Sequence, residues 1–172
     1  MSSLIIPILC QLAYIPFIYW FVELVQNKLC LLCIGEYRWI YPTSQYHHFS
    51  FDSVKAWALL PILFYSIYYF FLIPRRVNLW LGFIINATAG YVTEFIVGYF
   101  CTYVLKETLQ EWPHSLFKFV GGIDCYIMWI FDAVLYHWLV FEMPLLLVRY
   151  VSSSKKASEQ NPSVKVNEAK ID

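Results

Sequence analysis

Four long apolar stretches, each separated from the next by polar sequence, constrain this chain more than any other feature. A helix needs roughly 20 mostly apolar residues to cross the hydrocarbon core of a bilayer. The stretches cover residues 4–25, 54–73, 77–105 and 122–151, and residues 29–34 can prolong the first. The pattern therefore predicts an all-α fold: a four-helix transmembrane bundle in residues 1–151.

The composition agrees with lipid as the main solvent of this chain. Of its 172 residues, 60% are hydrophobic and only 14% are charged, whereas a soluble domain averages about 25% charged residues. The last segment, residues 152–172, is polar and predicts a disordered tail. The formal net charge is +0, so we expect no nucleic-acid partner.

An even number of spans places both termini on one face of the membrane. Basic residues near the two faces are equally numerous and do not decide the orientation, but the Arg75–Arg76 pair lies in a very short loop and favours cytoplasmic termini. No basic residue precedes Leu4, as a secretory signal would require, so we expect the first stretch to be retained. We expect an integral multi-pass protein of the endoplasmic reticulum, another endomembrane or the plasma membrane.

Several polar side chains fall inside the predicted spans. An ionisable group at membrane depth costs about 2.5–3.5 kcal/mol on insertion scales, so it normally faces protein or water. These residues predict a polar intramembrane site, and its candidates are Glu94, Asn86, Asp132, His137 and Glu23. We expect Glu94 to be its centre, with Asn86, His137, water, a bound ligand or a proton shared with Asp132 as its partner.

Glu94 belongs to a stripe in which small and polar residues recur at every fourth position of span three. The members of the stripe are Gly82, Asn86, Gly90, Glu94 and Gly98, and residues four apart share one face of a helix. One interpretation is a packing seam, which also predicts a homo- or hetero-oligomer through this face. The other is a polar pocket or solute path centred on Glu94.

A faint internal repeat accompanies the acids. Glu23 and Glu94 are each followed seven residues later by a cysteine, Cys30 and Cys101. One interpretation is a duplication in which spans one and two recur as spans three and four; the other is coincidence in a chain this rich in aromatic residues.

Four cysteines offer a redox alternative. Cys30 and Cys33 form a C-x-x-C pair, the spacing of redox-active disulfides, and Cys101 and Cys125 lie near the ends of the loop joining spans three and four. The set resembles the bacterial quinone-linked thiol oxidases of the disulfide-bond-forming protein B type, although their basic residue after the pair is displaced here to Arg38. The resemblance implies a membrane thiol-disulfide oxidoreductase; buried free thiols are the other interpretation.

A broader resemblance covers roughly residues 14–150. The sequence reads Glu94-Phe95-x-x-Gly98-Tyr99 and then Trp112-x-x-Ser115-x-Phe117-x-Phe119-x-Gly121-x-Ile123. These motifs are similar to the transmembrane protein 229 family and its bacterial relatives, catalogued as type IV ABC-transporter-like membrane proteins, whose acid in span one Glu23 would match. The family's Asp-Tyr after the tryptophan is replaced by Pro113-His114. The resemblance implies an architecture and no reaction.

A third resemblance is to the four-span sterol-isomerase and sigma-2-receptor group. Glu36-Tyr37-Arg38 and the segment from Trp138 to Pro144 carry it, and it implies a sterol- or lipid-isomerase-like enzyme or a sterol-binding protein. Span two has no acid, whereas that group uses one there.

These observations favour a non-enzymatic module that binds lipid or a small solute, takes part in transport or serves assembly. Membrane lipid and a small lipid or solute are its expected partners. We expect neither a cofactor nor a metal, and the sequence has no Walker motif for ATP.

Topology provides the first test. We expect only one of two glycosylation sites, introduced near Ser44 and after Lys155, to be modified, because an odd number of spans separates them and the modification occurs on one side of the membrane. A scan that places both sites on one side would contradict four spans.

Overall fold

The computed structural model describes residues 2–160, and within that part of the chain the fold is all-α, as predicted. The helices are α1 (Ser2–Leu12), α2 (Ile15–Ile34), α3 (Ser53–Trp57), α4 (Leu59–Ile67), α5 (Leu79–Tyr99), α6 (Ile123–His137) and α7 (Met143–Gln160). Four helical segments are long and apolar enough to cross a membrane: Ile15–Ile34, Ser53–Leu72, Leu79–Leu105 and Ile123–Tyr150, here spans one to four.

The first span differs from the prediction of residues 4–25. Helix α1 ends at Leu12 and α2 begins at Ile15, with Pro16 in its first turn. Proline has no N–H to donate and disfavours helical backbone in the preceding residue, so the helix restarts here. Helix α1 has 11 residues, about 16 Å, and is too short to span. The span consequently ends at Ile34, where Gly35 caps it with φ 81°.

Three of the spans contain a π-helical turn, at Tyr68–Leu72, Phe100–Leu105 and Trp138–Glu142. The chain forms two compact units, one up to Ala133 and one from Val134. Helix α7 continues to Gln160, so the first nine residues of the predicted tail, 152–160, are helical. The rest of that tail, 161–172, lies outside the described residues, and its disorder stays a prediction.

The spans are apolar outside and partly polar inside. Leu32 and Trp80 are 80% and 72% exposed, whereas Glu23, Asn27 and Asn86 are buried. Lipid can surround an apolar outer face at no cost, but a polar side chain needs partners within the protein. Polar and aromatic contacts between side chains therefore hold the first unit together.

The two long loops of the first unit are joined to each other. Ile40 and Glu111 form an antiparallel bridge in which the Ile40 N–H donates to Glu111 O at 2.9 Å and the Glu111 N–H donates to Ile40 O at 2.8 Å. Next to the bridge, the rings of Trp39 and Trp112 pack with their centroids 5.0 Å apart. Both loops therefore lie at the same end of the spans.

The small-residue stripe of span three packs within the chain. A Cβ atom at Gly98 would lie 2.8 Å from the carbonyl oxygen of Phe119, and one at Gly90 would overlap the ring of Trp129. At Gly82 the nearest atom is Leu72 Cδ1 at 3.4 Å, an ordinary contact. An oligomer through this face has to accommodate these intramolecular contacts.

These contacts predict the effect of alanine substitutions. Gly90→Ala and Gly98→Ala should each lower the free energy of unfolding by about 1–3 kcal/mol, because the added methyl group meets an aromatic ring or a backbone carbonyl. Gly82→Ala is the matched control and should be neutral or stabilising, since alanine favours helix more than glycine does. Thermal unfolding in detergent measures the difference, and equal midpoints for all three variants would contradict the close packing.

Candidate intramembrane site

The structure brings together three of the five residues predicted for the site. Glu23 and Asp132 are 7% and 3% exposed, and Glu94 is half-buried. The three carboxyl groups lie on spans one, three and four, close enough for their charges to interact. All three belong to the first compact unit.

Glu94 is held by three neutral donors. The Trp129 indole donates to Oε2 at 2.6 Å, and the Cys125 thiol donates to the same oxygen at 3.2 Å. The Gln110 amide donates to Oε1. Two of these donors come from α6 and one from the loop, so the carboxyl ties three segments of the chain together.

The other two acids are bonded in a similar way. The Trp57 indole donates to Glu23 Oε2 at 2.9 Å, and the Ser53 side chain also faces that carboxyl. The Gln26 amide donates to Asp132 Oδ1 at 3.1 Å. Neutral donors at each carboxyl fit a charge-poor interior, where an uncompensated carboxylate is costly.

Four tryptophans gather around Glu23 and Glu94. We call Trp39, Trp57, Trp112 and Trp129 the indole cluster. Its two ring pairs are Trp39 with Trp112, and Trp57 with Trp129 at 5.7 Å between centroids. The indole groups of Trp39 and Trp112 face Glu23 and Glu94 respectively. Both indoles thus add to the neutral donors around the two carboxyls.

Sequence reasoning missed the indole cluster and the residue that positions its first loop. Asn27 is fully buried, and its amide donates to the backbone oxygens of Trp39 at 2.9 Å and His48 at 3.1 Å. Its side-chain oxygen accepts from the Arg38 N–H at 3.1 Å. The available signal in the sequence was an uncharged polar residue one turn after Glu23, between the apolar residues 4–25 and 29–34.

A cavity of about 400 Å³ adjoins the cluster at the loop end. Trp112, Tyr91 and Gly121 line it, together with an ion pair in which Arg38 Nε donates to Asp124 Oδ2 at 2.8 Å. Trp112 both lines this cavity and faces Glu94. Trp112 therefore lies between the cavity, on the side of the loops, and the Glu94 carboxyl.

Asn86 and His137 have other surroundings. The Asn86 amide donates to Gly82 O at 3.1 Å and its side chain neighbours Tyr68. Asn86 precedes Glu94 by eight residues on one helix, about 12 Å along the axis. His137 belongs to the second unit, where its Nε2 lies 3.6 Å from Glu142 Oε1.

The cysteines predicted as redox pairs are free thiols in the structure. Cys30 is half-buried and Cys33 exposed at the end of α2, whereas Cys101 and Cys125 are buried. Cys125 is engaged as a donor to Glu94. Among the described residues, no group of three or more His, Cys, Asp or Glu side chains is placed to hold a metal ion.

Comparisons with protein-family models, with curated proteins and with solved structures gave no match to this chain.

The buried amide of Asn27 generates a stability prediction. Asn27→Leu should lower the free energy of unfolding by about 3 kcal/mol or more, because two carbonyl groups and one N–H lose their partners, each at about 1–3 kcal/mol when buried. Asn78→Ala is the control: Asn78 only caps α5, accepting from the Trp80 N–H at 2.9 Å, and should cost about 1 kcal/mol. Thermal unfolding followed by tryptophan fluorescence compares them. A smaller loss for Asn27→Leu than for the control would contradict the positioning role.

Proposed function

We propose that this chain is a multi-pass membrane protein that binds a small solute or lipid in a polar site between its spans, and that Glu94 recognises the ligand. One observation carries the proposal: a carboxyl group in the middle of a span is held by three neutral donors and faced by Trp112, which also lines a cavity. A carboxyl group that serves only helix packing does not need a neighbouring cavity through which a ligand could enter.

The size and lining of the cavity support this function. Pockets for small ligands range over about 300–1,000 Å³ and combine aromatic walls with a few placed polar groups. The cavity described here has about 400 Å³, with Tyr91 and Trp112 in its wall and the Arg38–Asp124 pair at its side. A ligand entering from the loop side meets Trp112 before it meets Glu94.

The same residues support a kinship with the transmembrane protein 229 family, which we also propose. The acids matched to that family, Glu23 and Glu94, and the matched Trp112 all belong to one group of interacting side chains. Contacts among the residues of a motif support the proposed kinship more strongly than the motif alone does. The thiol oxidoreductase and the sterol-isomerase-like protein stay as alternative predictions.

Substitution of Glu94 tests the proposed site. Glu94→Gln keeps an oxygen that can accept from Trp129, so its stability should equal that of the parent protein. It should no longer retain the bound ligand. Glu94→Ala should also lower the free energy of unfolding by about 2–4 kcal/mol, because three donors lose their acceptor. The measurements are thermal unfolding and mass spectrometry of the small molecules retained through purification.

Glu107→Gln is the matched control, because Glu107 is an exposed acid in the loop that follows the same span. It should alter neither stability nor retention. If Glu94→Gln retains the same molecules as the parent at the same stability, Glu94 serves packing only and the proposed site fails.

A further inference from the structure

The short loop between spans two and three carries two positive charges in a part of the chain that has no acid. Arg75 and Arg76 belong to residues 53–93, which contain neither Asp nor Glu. The next acid, Glu94, follows Leu79 by 15 positions on α5, about 22 Å along the helix axis. Within the described part of the chain, neither arginine belongs to an ion pair. The protein therefore supplies no counter-charge for this loop.

The two arginines differ in their surroundings. Arg75 Nη1 donates to the carbonyl oxygen of Phe70 at 3.0 Å, and the guanidinium lies 4.4 Å from the centre of the Phe71 ring. No such contact holds the Arg76 side chain among the residues that the structure describes. Arg76 instead lines a cavity of about 150 Å³, which we call the Arg76 cavity. Arg75 is thus held by the protein, whereas Arg76 is available to a ligand.

The Arg76 cavity runs from a buried floor to a mouth on the outer face of the spans. Tyr68, Leu72 and Gly82 line it and are buried. Ile73 and Leu79 also line it, but they are 59% and 45% exposed. Exposed apolar side chains at the end of a membrane span contact lipid, so the mouth opens toward the bilayer.

The cavity lies at the depth of the lipid head groups. Span two ends at Leu72 and span three begins at Leu79, so Arg76 lies just outside the apolar part of both spans. The exposed ring of Trp80 agrees with this depth, because tryptophan prefers the boundary between head groups and hydrocarbon. With the predicted cytoplasmic termini, the loop faces the leaflet that contains the anionic lipids.

The lining of the cavity offers a cation and a donor but no acid. The planar guanidinium of Arg76 can donate two parallel hydrogen bonds to a phosphate group. The side-chain oxygen of Asn78 accepts from the Trp80 N–H at 2.9 Å, which leaves the NH₂ group of Asn78 as a further donor. None of the described residues that line the cavity is a carboxylate, so the ammonium group of a zwitterionic head would find no partner. The lining therefore favours a head group with net negative charge.

The size of the cavity selects between a free solute and a lipid. Pockets that enclose a small ligand range over about 300–1,000 Å³, and the Arg76 cavity has only about 150 Å³. It can admit a phosphate group, but the rest of the ligand has to remain outside the mouth, where the surroundings are lipid. A phospholipid meets this condition, because its chains stay in the bilayer.

We propose that the Arg76 cavity binds the phosphate group of an anionic membrane lipid, whose chains lie along Ile73 and Leu79. Basic pockets between membrane helices are suited to such head groups. The inference is independent of the proposed function, because the loop of Arg76 lies at the end of the spans opposite to the joined loops beside Trp112.

The experiment uses the full chain in nanodiscs of phosphatidylcholine that contain increasing fractions of phosphatidic acid or phosphatidylglycerol. Native mass spectrometry identifies and counts the lipids that stay bound to the released protein. A second arm adds inorganic phosphate to nanodiscs of phosphatidylcholine alone and follows thermal unfolding, which separates a lipid head from a free ion. We expect saturable retention of one anionic lipid per chain and no stabilisation by inorganic phosphate.

Substitutions of the two arginines separate the cavity from the general charge of the loop. Arg76→Gln should weaken retention of the anionic lipid about tenfold, because a charge-assisted hydrogen bond to phosphate is lost. Arg76→Lys keeps the charge without the planar fork and should give a smaller loss. Arg75→Gln is the matched control: it removes the same charge from the same loop outside the cavity, and retention should stay nearly unchanged. Thermal unfolding in phosphatidylcholine alone checks that all three variants fold.

Three outcomes would overturn the inference. The first is equal retention of phosphatidylcholine and the anionic lipids by the parent protein. The second is an equal loss in Arg76→Gln and Arg75→Gln, which would reduce the effect to nonspecific attraction by a basic loop. The third is saturable stabilisation by inorganic phosphate that depends on Arg76, which would identify the ligand as a free ion and reject the lipid.

Discussion

A carboxyl group in the middle of a membrane span has to find its hydrogen-bond donors inside the protein, and this requirement organises the first compact unit. Lipid offers no donors and the spans offer no lysine or arginine at this depth. Glu23 and Glu94 instead take indole, thiol and amide donors from α3, α6 and a loop. Each carboxyl thereby fixes the neighbouring span and the returning loop at once.

The sequence predicted the parts of the fold that depend on hydropathy and little of what depends on contacts between distant residues. Spans two to four follow from apolar length, and their ends agree closely with the structure. The restart between Leu12 and Ile15 escaped prediction because apolar residues flank it on both sides. Only Pro16, at the first turn of the new helix, indicated a break.

The site was likewise predicted only in the part that hydropathy reveals. The acids were found because a charge in an apolar stretch is conspicuous. The tryptophans were not, because the chain has seven and tryptophans near span ends are usually assigned to the membrane interface. Asn27 acts on Trp39 and His48 through loop backbone, 12 and 21 residues away, and that pairing depends on a fold that periodicity alone does not specify.

The bridge between Ile40 and Glu111 has a consequence for the order in which this chain can fold. The two loops that it joins lie on either side of spans two and three in the sequence. The first loop therefore has no partner for this pairing until the third span and the loop after it have been synthesised. The first two spans accordingly complete their packing late, when most of the chain is already in place.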